Sequence, residues 1–293
     1  MWDISKEVSE HREKNCTNAV PDGYKRRDAS VYVLDNPGLD QGVVNRTHEI
    51  LETAQQHDGV VLSTGGTFES IYEVMGEQKA HFEALLKGLV LINQDELCGI
   101  DEEDRLSYTH YMRARLFSAL QEPIRGEWII PDPSRPPEEA LAAFHRQLIA
   151  VNRVKLGLLG IGPDAKGKLK ASPHIGFIAP DTPLDSFADI VKLDHATRCA
   201  NGDKETYPRK AITHGPANVL RTQALLAVAK GSRKKQNMAD VVLGDFSPAI
   251  PSTLMQIVRA DIEDASVEFF LDTDAAGVIM TRMRHRLKGK LAS

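Results

Sequence analysis

Short, uninterrupted apolar runs recur along the chain, each followed by a glycine or polar turn and then a helical pattern. They are "VYVLD" (31–35), "GVVLS" (59–63), "GLVLIN" (88–93), "LGLLGIG" (156–162), "ALLAVA" (224–229) and "VEFFLD" (267–272). A run that is apolar throughout, rather than at every second position, suits a strand buried on both faces of a parallel sheet. Amphipathic stretches lie between the runs. "DRLSYTHYMRARLFSAL" places Tyr108, Met112, Leu116, Ala119 and Leu120 at three- and four-residue steps, which predicts a helix over 104–120. "PPEEALAAFHRQLIAVN" opens with Pro136 and Pro137 and carries two glutamates in its first turn, both favourable at a helix N-terminus. Alternating strands and helices predict an α/β fold: a single doubly wound Rossmann-like domain with a mainly parallel central sheet flanked by helices. The domain is expected over 31–293, after a polar N-terminal segment 1–30.

Composition narrows the class. With 293 residues, 42% hydrophobic and 26% charged, the chain has the make-up of an ordinary globular protein. The formal charge of −5 is modest, and basic residues are dispersed apart from "GSRKK" (231–235) and the tail 282–290, so nucleic acid is not expected as a partner. Cys16, Cys98 and Cys199 are widely spaced with no CxxC pair, so neither a disulfide framework nor a cysteine-rich metal site is expected, and a reducing cytoplasm fits. The charged start lacks the apolar core of a signal peptide, and no stretch approaches the ~18 apolar residues of a membrane helix. A cytoplasmic protein without membrane contact is expected, and homo-oligomerisation stays open.

Ligands of doubly wound sheets bind at the carboxyl ends of the strands, which directs attention to four loops. "LSTGGTFESIYEVM" (62–75) follows a strand and opens a helix. Its two glycines allow a tight turn whose outward N–H groups, with the hydroxyls of Thr64 and Thr67, suit a phosphate. The same dipeptide equally suits an ordinary strand-to-helix turn. In "INQDELCGI", Asp95 and Glu96 directly follow an apolar strand, where acids are costly to desolvate and often mark a site; Asp95 as a simple turn cap is the other reading. "LLGIGPDAKGKLKASPHIGFIAP" (158–180) sets Asp164 and His174 on either side of a lysine-bearing excursion. "AKGSRKK" places Lys234 just beyond a glycine turn, where it either meets a phosphate or starts a basic surface helix.

In this order the four loops resemble the glucosamine-6-phosphate deaminase family, related in fold to the 6-phosphogluconolactonases. "STGGT" resembles its phosphate loop, and "NQDELCGIDEEDRLSYTHYM" its aspartate motif and the following helix. "LLGIGPD", "HIGF", "YPRKAIT" and "GSRK" fall in the family's order, so the resemblance covers about 31–278. It implies conversion of an amino-hexose 6-phosphate into a ketose 6-phosphate and ammonia through an enediol, with a phosphorylated sugar as partner and no metal or organic cofactor. It further implies that Asp95 is the enolising base and His174 the ring-opening histidine. Thr64, Gly65, Gly66 and Thr67, with Arg198 and Lys234, would hold the phosphate.

The departures fall at the chemistry. The family's Asn-Glu-Pro is replaced by Ile178, Ala179 and Pro180, so the glutamate that partners the histidine is absent. The aspartate just before the histidine is either Asp164, now distant in sequence, or has been replaced where Ser172 and Pro173 stand; Asp181 and Asp185 are further local acids. An altered substrate is one consequence. Lactone hydrolysis, or sugar-phosphate binding without turnover, are the other functions compatible with such a chain.

Overall fold

The apolar runs are strands in a computed structural model of the chain, which describes residues 1–120, 127–162, 174–201 and 205–284. In chain order the first strands are β1 (Trp2–Asp3), β2 (Tyr24–Arg26), β3 (Asp28–Leu34), β4 (Gly59–Leu62), β5 (Val90–Asn93), β6 (Asp95–Leu97) and β7 (Glu127–Ile129). They continue with β8 (Val154–Gly160), β9 (Ala188–Lys192), β10 (Lys210–His214), β11 (Thr222–Ala229), β12 (Ile257–Arg259) and β13 (Ser266–Asp272). The helices are α1 (Ser5–Asn15), α2 (Asn36–Leu51), α3 (Gly66–Glu77), α4 (Lys79–Leu86) and α5 (Tyr108–Met112). After these come α6 (Pro137–Ala150), α7 (His195–Asn201), α8 (Pro216–Arg221), α9 (Lys235–Leu243) and α10 (Gly277–Arg282).

Eight strands form the central sheet in the order β1-β3-β13-β11-β8-β4-β5-β7. All neighbours run parallel except β1, which lies antiparallel on the β3 edge. The runs are apolar throughout because successive side chains enter different cores. Val31, Leu159 and Phe269 pack on one face with Phe144 and Leu148 of α6, and Met238 and Val242 of α9. Leu158 and Phe270 pack on the other with Leu39 and Val43 of α2 and Phe68 and Tyr72 of α3. This is the expected fold, helices covering both faces of a mainly parallel sheet.

The order of the strands decides where a ligand can bind. From β4 the chain moves outward to β5 and β7, returns to β8 beside β4, and then moves the other way through β11 to β13. The loops leaving β4 and β8 therefore diverge, which opens a crevice at the carboxyl ends of the two central strands. At the end of β5 the chain passes through Gln94 into β6, which joins β10 and β9 in a three-stranded antiparallel sheet.

Two elements differ from expectation. The helix expected over 104–120 starts at Tyr108, with the Ser107 side chain accepting from His110 N at its N-cap, and passes into a π-helical turn over Arg113–Phe117. Asp104–Leu106 instead form a turn, in which Asp104 Oδ1 accepts from Leu106 N at 2.9 Å. The segment before Val31, expected as a polar lead-in, supplies β1, α1 and β2, and buries Ile4 and Val8 in the core. Two apolar residues in a charged stretch are too few to register as a periodic face. Among the described residues, no helix is long and apolar enough to cross a membrane.

Candidate active site

The crevice between the β4 and β8 loops holds a cavity of about 440 Å³, within the range of small-molecule sites. Its glycine loop is braced from below. Ser63 Oγ donates to Leu158 O at 2.7 Å and accepts from Gly160 N at 3.2 Å, which ties β4 to β8. Tyr72 donates to Ser63 O at 2.6 Å, and Tyr111 to Gly65 O at 2.9 Å. Gly65 has φ +103°, a conformation that side chains other than glycine's resist. Above Gly65 and Gly66 the space is open. The first N–H groups of α3, which lack helical carbonyl partners, thus begin at a cleft wall shared with Thr64 and Thr67.

The acid pair divides into two different environments. Glu96 is fully buried, and its carboxylate accepts five hydrogen bonds: from the N–H groups of Leu97, Tyr108 and Thr109 and from the hydroxyls of Ser107 and Thr109, all at 2.7–2.9 Å. It fastens β6 to the start of α5. Asp95 instead lines the cleft and is 6% exposed. Burial, then the neighbouring Glu96 charge, holds the Asp95 carboxyl well above the usual carboxylate range. Gly176 makes room for it. With φ +52° and a hypothetical Cβ 3.1 Å from Asp95 Oδ2, that position admits no side chain without displacing the carboxylate.

His174 reaches the same cleft from the far side of the excursion. Residues 163–173, with Asp164, lie outside the described residues, but the ends of the excursion are joined. Gly162 N donates to His174 O at 3.0 Å and His174 N to Gly162 O at 2.7 Å, a bridge that fixes His174 beside the end of β8. Burial pushes the His174 imidazole down to about 4, partly offset by the Gly176 backbone, so the ring is neutral near pH 7. Its Nδ1 is buried and has no hydrogen-bond partner among the described residues. Where the family pattern places a glutamate, Ile178 is buried in the core and Ala179 is exposed.

Of the cations, Lys234 lines the cleft and donates to the carbonyl of Ile161. Arg233 and Lys230 line it too, although Lys230 is paired with Asp40 and donates to Ser70 at 2.8 Å. Arg198 sits on α7, and it is not among the cleft-lining residues. The expected set is therefore brought together in Thr64, Gly65, Gly66, Thr67, Asp95, His174 and Lys234, without Arg198. Sequence reasoning missed Arg233, Gln94, Tyr108 and Phe177. Arg233 neighbours Lys234 in the quoted motif, and Tyr108 lies in the quoted "SYTHYM", so both were within reach. The Tyr108 hydroxyl meets that of Tyr207 at 3.2 Å, a pairing no spacing reveals.

A glycine loop at a helix N-terminus, a carboxylate of raised basicity and a neutral imidazole thus surround one cavity. A family model described as glucosamine-6-phosphate isomerases/6-phosphogluconolactonase matches residues 35–262. Glucosamine-6-phosphate deaminases of Bacillus thuringiensis (strain Al Hakam) and Bacillus cereus (strain B4264) are 30% and 29% identical over 212 residues, 71% of this chain and 75% of each relative. Among solved structures, a monomeric glucosamine-6-phosphate deaminase has a TM-score of 0.72 at 24% identity, over 85% of this chain and 99% of that one. A 6-phosphogluconolactonase from Thermotoga maritima has a TM-score of 0.64 at 21% identity, over 83% and 99%. The frame of the cleft and the match across its loops lead to one assignment: the chain belongs to the glucosamine-6-phosphate isomerase/6-phosphogluconolactonase family.

Proposed function

We propose that the chain is an aldose-ketose isomerase/deaminase acting on an amino-hexose 6-phosphate. The observation that carries this reading is Asp95, an acid of raised basicity on the cleft wall with no cation paired to it among the described residues. In the open-chain aldehyde, the Asp95 carboxylate takes the C2 proton while O1 gains one, giving the enediol-type amine. Asp95 then returns a proton to C1, leaving a C2 iminium. Water adds there and ammonia leaves, giving the 2-ketose 6-phosphate. One carboxylate serves as base and then acid on adjacent carbons.

The phosphate is read as seated on the Thr64–Thr67 loop and α3, with Lys234 and Arg233 as counter-charges; its binding energy would hold C1 and C2 against Asp95. A neutral His174 is suited to accept the O1 proton as the ring opens, its Nδ1 having no hydrogen-bond partner among the described residues. Supplying glucosamine 6-phosphate and following ammonia and fructose 6-phosphate tests the reading. Full activity in Asp95→Asn would sink the assigned role.

One observation favours lactone hydrolysis as a second reading. A neutral imidazole whose Nδ1 has no hydrogen-bond partner among the described residues can activate water at a lactone carbonyl, where no carbon acid needs a base. Hydrolysis of 6-phosphogluconolactone that persists in Asp95→Asn, with no ammonia released from the amino sugar, would reverse the order.

A further inference from the structure

Outside the cleft, a second cavity of about 270 Å³ opens between α1 and the chain that links β2 to β3. Ser9, Arg12 and Cys16 border it from one side of α1, and Arg26 and Arg27 from the other side. Arg27 is 5% exposed and donates only to main-chain carbonyls, those of Ile257, Gln223, Ser266, Val219 and Thr222, at 2.7–3.3 Å. Half-buried Arg12 donates to Gln256 Oε1 at 3.0 Å, and like-charged Arg26 lies near it. Neither Arg12 nor Arg27 forms an ion pair with a carboxylate among the described residues. Arg26 makes a loose contact of 3.7 Å with Asp245. Glu13 and Asp28, which also line the cavity, are exposed.

Buried cations ordinarily carry a counter-charge, because the field of an unpaired one is poorly screened in the interior. Here burial pulls Arg27 down to about 9 and lowers Arg12 as well, with the Asp245 charge opposing the shift at Arg12 only in part. The cavity residues all precede position 35, where the family match begins, so this chain builds the cavity from residues outside that match. The volume is smaller than most sites for drug-sized ligands, which limits the occupant to a compact group. Planar guanidinium forks suit the oxygens of a phosphate.

We propose that this cavity binds a small phosphate group, free or esterified, held by the Arg12 and Arg26 guanidinium groups against the fixed charge of Arg27. The proposal is independent of the reaction assigned to the cleft.

Calorimetric titration of the full chain with inorganic phosphate tests it. Because Lys234 belongs to the other cavity, Lys234→Met is titrated beside Arg12→Met, Arg26→Gln and the wild type, each checked for folding by circular dichroism. Wild type is expected to bind two phosphates per chain. Arg12→Met and Arg26→Gln are each expected to weaken one site by about tenfold or more, as loss of a charge-assisted hydrogen bond implies, and to leave the site lost in Lys234→Met. Glycerol 3-phosphate run alongside tells an esterified ligand from free phosphate by which binds this site more tightly. A single site abolished by Lys234→Met, or folded Arg12→Met and Arg26→Gln proteins that titrate like wild type, would overturn the proposal.

Discussion

Asp95 and Glu96 are adjacent in sequence and opposite in role. Glu96 spends its oxygens on five donors, whereas Asp95 has none of these and faces the cleft, so desolvation acts on it nearly unopposed. Its folded pKa lies above the unfolded value, so ionised Asp95 costs stability once the pH rises through the folded pKa. Asp95→Asn should therefore raise the melting temperature by a few degrees at pH 8 and by less at pH 4, while turnover falls about 10²-fold or more. The acid limb of kcat/KM should fall above the ordinary carboxylate range for the same reason. His214 shows the reverse sign. It is 1% exposed, neither ring nitrogen has a partner among the described residues, and burial, then Arg221, pushes it down to about 3. Stability present above about pH 6.5 is then lost as the pH falls, by about 2 kcal/mol from this one group between pH 6.5 and pH 5. His214→Leu should flatten that loss in denaturant titrations at the two pH values.

At the scale of elements, what the sequence disclosed depended on how local the cause was. β3, β8 and β13 were legible because burial on both faces leaves continuous apolar runs. The start of α5 at Tyr108 was not, since it is set by Glu96, eleven to thirteen positions away from its donors in sequence. Glu96→Ala leaves those donors buried without an acceptor and should cost about 3 kcal/mol, read as a lower denaturation midpoint. Gly176 carries a similar lesson at the cleft. The "HIGF" motif shows a glycine but not that a methyl group there would press on the Asp95 carboxylate and the Thr213 hydroxyl, each 3.1 Å away. Gly176→Ala should lower kcat more than it raises KM, because it presses on Asp95, the proposed base, and leaves the Thr64–Thr67 loop untouched.

For the whole molecule, the strand order determines that the β4 and β8 loops part, and the motif order anticipated which residues gather there. The match to Arg198 rested on counting through a segment with gaps, and the fold puts Arg233 rather than Arg198 on the cleft wall. The excursion that separates "GIG" from His174 looked like a broken motif. Backbone pairing of Gly162 with His174 closes its ends, so the distance along the chain does not remove the histidine from the site. What is absent from the sequence is the family's glutamate; among the described residues the ring's Nδ1 has no hydrogen-bond partner, and the Asp194 charge acts on the imidazole. Proton transfer by Asp95 between adjacent carbons leaves an isotopic trace when the reaction on glucosamine 6-phosphate is run in D2O. Wild type is expected to yield ammonia and fructose 6-phosphate carrying solvent deuterium at C1, and Asp95→Asn neither product. Deuterated ketose formed by Asp95→Asn at the wild-type rate would contradict it.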